Sequence, residues 1–376
     1  MTRAASRWGS INIGKYAQTW LNVVASPVSE YVSSISSTAT PLAFSTLPLD
    51  YYASGNSYFY GRKAWDAGST VVNLQLGTAA PGAAVHVHDD VGNWQLWRGG
   101  RWVSRETAGY VNTLTGYNNS GTTSSGELLA HNGLAFNGIG LGASCNPSCL
   151  TGDRSGVPVV NRLESAVAYA YADVDLTASY RGKADSTQTH PERENPAVAH
   201  AEREFVFVRD LETLVIFDRL QSNAVGATTA DNIKKTFVAH CEVTWTMEDA
   251  QHATCTDGTQ ALRLTTLVPS KPSYVVVNER GDKVGQYRLE VSDSGSAQSY
   301  FLHVLQARAT KDASLSPSVV DGGSSYTVTL DATHSLVFNK GMTSAGGTIT
   351  IGSNTTPFRA SVQPIDYTDS GPVWGP

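Results

Sequence analysis

Long apolar runs are missing from this sequence. The longest, such as Ala166 to Ala172 and Tyr274 to Val277, fall far short of the roughly 20 apolar residues that span a bilayer, so no membrane partner is expected. Charge is scarce as well: 16% of the 376 residues are charged, 27 Lys and Arg against 33 Asp and Glu, for a net charge of -6. No basic stripe is present to displace counterions from phosphates, which excludes general affinity for nucleic acid. With 41% hydrophobic residues, the low charge also excludes charge-driven disorder, and the length leaves room for a large core.

Cysteine is limited to four residues in two local pairs, Cys145 with Cys149 and Cys241 with Cys255. An even count in close pairs predicts two short-loop disulfides, the second at the two ends of a hairpin, and an oxidising compartment. Neither pair has a second thiol pair at zinc-finger spacing. The first eight residues carry two arginines and no apolar stretch, so no signal peptide is visible. A trimmed mature chain with an added Met stays open, and the expected location is secreted or periplasmic.

Residues 1 to 45 differ from the rest of the chain. Ile13, Tyr16, Trp20, Leu21 and Val24 recur as on one helix face that Pro27 ends, and Val28, Tyr31, Val32 and Ile35 repeat the pattern. From about residue 46 the sequence is a series of short runs rich in Val, Tyr, Phe, Trp and Thr between Gly, Asn, Asp and Ser. Residues 70–76, 203–210, 213–218, 273–278, 300–305, 326–330 and 335–338 are examples. The predicted fold class is all-β: a large antiparallel β-sandwich over residues 46 to 376 with a short α-helical N-terminal segment. The tail from Gly352, with three prolines, should wrap the surface or fray.

Residues 94–98 and 101–105 flank Gly99-Gly100, a pair suited to a tight hairpin turn. That register pairs Arg98 with Arg101, Trp97 with Trp102, Leu96 with Val103 and Asn93 with Glu106. It places Trp97, Trp102, Gln95, Asn93 and Glu106 on one face, and Leu96, Val103, Arg98, Arg101 and Arg105 on the other. Two arginines directly opposed at the tip are either solvated, the expected case, or facing an anion. Ahead of the hairpin, His86 and His88 alternate so as to share a face, the simplest start for a metal site or for a base beside one.

These segments together resemble the β-sandwich domain of the heparinase II/III-like polysaccharide lyases. The resemblance rests on His86-Val-His88, the Gly99-Gly100 tip, Glu106 ahead of Gly109-Tyr110, and His131-Asn132. Residues 50–66, 169–173, 201–219 and 235–240 keep the same order, so it covers roughly residues 50 to 245. It implies a structural Zn2+ ion held by His88, Glu106 and His131, with Glu where the family usually has Asp. Two imidazoles, one carboxylate and a water form a donor set that zinc accepts. It further implies that His86 faces the substrate cleft, and that the chemistry is β-elimination on a uronate-containing polysaccharide.

Arg98, Arg101 and Arg105 are expected to supply cations to that substrate, and Trp97 and Trp102 to stack on sugar rings. Core packing is the commoner role for such tryptophans, Trp94 included. His240 matches a family position near the cleft, with a hydrogen-bonded core histidine as the equal alternative. Family members carry a helical toroid that supplies a tyrosine acid or base, whereas only two short helices precede residue 46 here. The expectation is therefore a truncated piece, a partner chain or homo-oligomer that completes the site, or a tyrosine of the sandwich, for which Tyr110 and Tyr58 are the candidates.

Two rival functions remain open: a non-catalytic glycan-binding module, and a glycoside hydrolase using Asp89 or Asp90 with Glu106. His190 sits in a polar loop, residues 189–196, with His200 and Glu202 just beyond it; the group could reach over a cleft, but a solvated loop is the expected case. Gly138-Ile-Gly140-Leu-Gly142 does not open a helix after a strand, and no Gly-x-Ser-x-Gly elbow occurs, so a nucleotide loop and that class of serine hydrolase are disfavoured.

Overall fold

The computed structural model describes residues 1–23, 39–77, 90–107, 113–123, 128–138, 158–181, 195–279 and 285–363. His86, His88, Tyr110, Cys145, Cys149, His190 and the second predicted helix lie outside these residues. The chain divides into two compact units, residues 1–49 with 64–66 and 364–376, and residues 50–63 with 67–363. Among the described residues no helix is long and apolar enough to cross a membrane.

In the first unit α1 (Thr2–Arg7) leads into α2 (Asn12–Val23), the helix read from the Ile13, Tyr16 and Trp20 spacing. Tyr16 stacks on Phe44 with ring centroids 6.3 Å apart, and Thr19 Oγ1 donates to the Leu42 carbonyl at 2.7 Å. These contacts tie down a helix too short to be stable by itself, burying Gly14 and Ala17 while Ile13 and Trp20 of the predicted stripe stay exposed.

The second unit is built from antiparallel sheets. The first has five strands in sequential order, β1 (Asp50–Ala53), β2 (Tyr58–Arg62), β3 (Val71–Gln75), β4 (Trp94–Arg98) and β5 (Arg101–Ser104). A two-stranded ribbon, β6 (Leu114–Thr115) with β7 (Thr122–Thr123), comes next. An eight-stranded sheet runs β14 (Thr246–Met247), β15 (His252–Asp257), β16 (Gln260–Val268), β19 (Gln298–Ala309), β12 (Thr213–Ser222), β11 (Val198–Val208), β10 (Tyr169–Asp175) and β9 (Val159–Ser165). A four-stranded sheet is ordered β17 (Ser273–Asn278), β18 (Tyr287–Asp293), β13 (Lys235–Cys241) and β8 (Leu134–Phe136). Strands β20 (Ser318–Asp321), β21 (Ser325–Thr329), β22 (His334–Asn339), β23 (Gly347–Ile351) and β24 (Asn354–Pro357) form a C-terminal meander.

The predicted sandwich forms, and the eight-stranded sheet is covered on both faces. Tyr171, Val206, Val215, Phe217 and Leu302 on one face pack against Tyr326, Val328, Leu336 and Phe338 of the meander. On the other face His303 lies 4.0 Å from the Phe237 ring of β13, which stacks in turn on Trp94 of β4. This double coverage is why residues 205–208 of β11 and 214–217 of β12 read as unbroken apolar runs instead of alternating ones.

Two expectations need correction. Cys241 and Cys255 are bonded, but Cys241 closes β13 and Cys255 sits in β15, so the disulfide joins two sheets and not the ends of one hairpin. His200 and Glu202, just beyond the loop that holds His190, belong to β11. The tail beyond Gly352 neither wraps nor frays at first: β24 pairs with β23, and Phe358 is buried, stacked 4.3 Å from Tyr171.

Candidate functional site

The Gly99-Gly100 turn forms as expected, with φ of 54° and 85°, values that glycine adopts without a Cβ penalty. Arg98 faces Arg101 and Trp97 faces Trp102, the two indoles meeting edge to face at 5.3 Å. Beyond them the predicted register fails, because Leu96 pairs with Ser104 and not with Val103. A bulge turns both Val103 and Ser104 inward. It also brings Arg105 over the Trp102 ring, 6.0 Å away, whereas strict alternation puts them on opposite faces.

The arginines of the hairpin face anions supplied by the chain itself, in place of the expected solvation of the tip. Arg98 meets Glu212 through Nε at 3.1 Å and Nη2 at 3.2 Å. Arg101 Nη1 donates to both carboxylate oxygens of Asp257 at 2.9 Å, and Arg105 Nε is 2.5 Å from Glu242.

Below the hairpin the described candidates converge. His131 Nε2 lies 3.8 Å from Glu106 Oε2, with the imidazole almost fully buried. Asn93 Nδ2 donates to the same Glu106 oxygen at 2.6 Å, and Asn93 Oδ1 accepts the Asn132 backbone N–H at 2.9 Å. Asp90 joins them, its carboxyl pushed up by burial and by Glu106, against the pull of His131 and a hydrogen bond with Gln75. Tyr58, on β2, is pushed up by burial and then by the charges of Asp90 and Glu106, so its phenol keeps its proton.

Asn132 fixes the floor of this cluster. Its Nδ2 donates to the Trp94 carbonyl at 2.6 Å and to Ser104 Oγ at 3.0 Å, while its Oδ1 accepts the His240 backbone N–H at 2.7 Å. Of the two expectations for His240 the structure has the hydrogen-bonded core histidine: it is fully buried, with Nδ1 3.0 Å from Asn132 Oδ1 and Nε2 3.4 Å from Glu279 Oε1. Glu279 also bonds Arg288 and Thr107. Burial works against its charge, yet His240, Arg288 and Thr107 hold its carboxyl below the usual range. Trp94 is core as well, fully buried against Phe237.

The residue that sequence reading missed is Arg203. It is fully buried on β11, paired with Asp218 through Nε at 2.6 Å and Nη2 at 3.1 Å. Its Nη1 donates to the carbonyls of Gly92 at 2.7 Å and Asn132 at 3.3 Å. One guanidinium of the central sheet therefore pins both segments that carry the cluster, those around Asp90–Asn93 and His131–Asn132.

No family model matches the chain, and no curated protein matches it. Among solved structures it is similar to the heparan sulfate lyase HepC from Pedobacter heparinus, at 12% identity and a TM-score of 0.55, covering 90% of this chain and 46% of that one. A heparinase III gene product matches at 10% identity and a TM-score of 0.56, over 88% of this chain and 44% of that one. Another heparinase III matches at 13% identity and 0.50, over 93% and 49%. The fold is that of the heparinase III structures. The chain spans less than half the length of each of them.

In that fold Glu106 lies beside His131, and Tyr58 is near enough for the Glu106 and Asp90 charges to act on its phenol. Arg98 and Arg101 point away from Trp97 and Trp102, toward the eight-stranded sheet. Among the described residues no three His, Cys, Asp or Glu side chains are grouped closely enough to hold a metal ion, and His88 is not one of those residues.

Proposed function

We propose that the protein is a polysaccharide lyase that cleaves a uronate-containing chain by β-elimination. The observation that carries this reading is the pair of a buried His131 and a half-buried Glu106 beside Asp90 and Tyr58 in a heparinase III-like sandwich. In the reaction a base removes the proton alpha to the uronate carboxyl, the bond to the glycosidic oxygen breaks, and an acid protonates the leaving oxygen. Tyr58, whose phenol stays protonated beside two carboxylates, suits the acid role. His86, which the resemblance turns toward the substrate cleft, is the candidate for the other proton transfer or for holding the scissile linkage. Neutralising the uronate carboxylate falls to groups other than Arg98, Arg101 and Arg105, whose charges are already matched.

The donor set fits a zinc ion. Two donors about 2.1 Å from a common tetrahedral ion lie about 3.4 Å apart, close to the observed separation of Glu106 and His131. Asp90 Oδ1 is buried without a hydrogen-bond partner among the described residues, next to this pair. His131 and Glu106 would hold the ion with His88, and the bound ion would supply positive charge that organises the site. Asn93 orients the Glu106 carboxylate in either case.

The test is product analysis with a panel of uronate-containing and neutral polysaccharides, monitoring new reducing ends and the ultraviolet absorbance of a conjugated double bond. Both signals rising together support the lyase. Reducing ends without absorbance identify a hydrolase, and binding without either signal identifies a glycan-binding module.

A further inference from the structure

At the seam between the eight-stranded sheet and the meander lies a buried cluster of charge that the proposed reaction does not use. Register sets Asp173 of β10 directly opposite Glu204 of β11, and Glu202 shares that face two residues along. Arg219 of β12 serves both glutamates, with Nη2 2.5 Å from Glu204 Oε1 and Nη1 3.5 Å from Glu202 Oε2. His200 Nε2 lies 3.6 Å from the same Glu202 oxygen, and Tyr171 Oη donates to Glu204 Oε2 at 2.5 Å. The meander closes over the cluster with backbone groups. The Gly346 N–H donates to Glu204 Oε2 at 2.9 Å, and the Asn339 carbonyl accepts from Arg219 Nη2 at 2.7 Å.

Asp173 is left without such a partner. It is fully buried, and among the described residues neither of its carboxylate oxygens is hydrogen-bonded. Arg162 of β9, the residue facing it, keeps its Nε 3.9 Å away. Burial raises the Asp173 carboxyl, Glu202 and Glu204 raise it further, and Arg219 and Asn161 pull it down, for a balance of about 8. A buried carboxylate beside two others is costlier than its neutral acid, so the charge that the two guanidiniums leave unmatched is met by a proton.

We propose that this seam is a proton-operated latch. With Asp173 protonated the meander seats on the sheet. Loss of that proton to solvent favours an opened seam, in which the carboxylates are hydrated and the contacts of Gly346 and Asn339 are released. The latch does not depend on the lyase reading, because none of its groups belongs to the proposed site.

A carboxyl raised from 3.8 stabilises the closed seam fully below that value, and the stabilisation is lost as the pH rises through about 8. The melting temperature of the full chain is therefore followed from about pH 4 to about pH 10 in the wild type and in Asp173→Asn, which keeps the shape and cannot ionise. The variant should gain about 5 °C on the wild type between about pH 4 and about pH 8, and no more above that. Hydrogen exchange, corrected for intrinsic rates, locates the change. Opening of β23 should rise by up to about tenfold per pH unit over that range in the wild type and stay level in the variant. Glu202→Gln removes a like charge and should move the wild-type transition to lower pH, which keeps the test in hand where Asp173→Asn does not fold. A melting difference that is constant with pH, a transition that Glu202→Gln leaves in place, or exchange in β23 that ignores pH overturns the latch.

Discussion

Asn93 Nδ2 donates to Glu106 Oε2 at 2.6 Å, and this contact sets the direction in which the Glu106 carboxylate meets His131. The same amide, through Oδ1, holds the backbone of Asn132. A leucine at this position keeps most of the volume and removes both bonds. Asn93→Leu should cost about 1–3 kcal/mol, the penalty for leaving buried polar groups unmet. It should also weaken zinc about 10–100-fold, as loss of an orienting partner does. Denaturant melts of the metal-free protein and competition against a chelating dye separate the two effects.

The zinc assignment is tested by metal content. Purified protein should carry one zinc per chain, and His131→Ala and His88→Ala should each lose it. Mass spectrometry of the native protein reads the stoichiometry, and unchanged zinc in either variant would remove that residue from the site.

Arg203 holds both segments of the site from within the core. Arg203→Met leaves Asp218 an unpaired buried carboxylate and releases the carbonyls of Gly92 and Asn132. A loss of about 3–5 kcal/mol is expected in urea unfolding. Adding Asp218→Leu should recover part of it, because the unpaired charge is then gone.

Glu279 predicts a pH dependence. Its carboxyl is held below the ordinary value of 4.5 by His240, Arg288 and Thr107, which together outweigh burial. A lowered carboxyl stabilises the fold fully above the unfolded value, and that stability is lost as the pH falls through the window between 4.5 and its folded value. Glu279→Gln should therefore lower the melting temperature at neutral pH and flatten its decline below about pH 4.5. A decline as steep as in the wild type would show that another group is responsible.

How much of this structure is legible in the sequence depends on how local each cause is. The central strands β11, β12 and β19 and the meander strands β21 and β22 are visible because β-branched and aromatic runs between turn residues need no partner to be recognised. The Gly99-Gly100 tip is visible for the same reason. The bulge after Val103 is not, since Val and Ser fit a regular strand equally well, and the face of Arg105 is misplaced with it. Arg203 is invisible for a different reason: a lone arginine in a strand reads as surface, and only the fold brings Asp218, Gly92 and Asn132 to it. Glu106 and His131 are found through resemblance, and their convergence depends on Asn93 and Asn132, whose amides carry no motif of their own.

The most direct test of the proposed function is the mass of the products from a uronate oligosaccharide of defined length. β-Elimination conserves mass, so two fragments should sum to the substrate, one ending in an unsaturated uronate. Fragments that sum to the substrate plus one water, all saturated, would contradict the lyase and assign the site to hydrolysis.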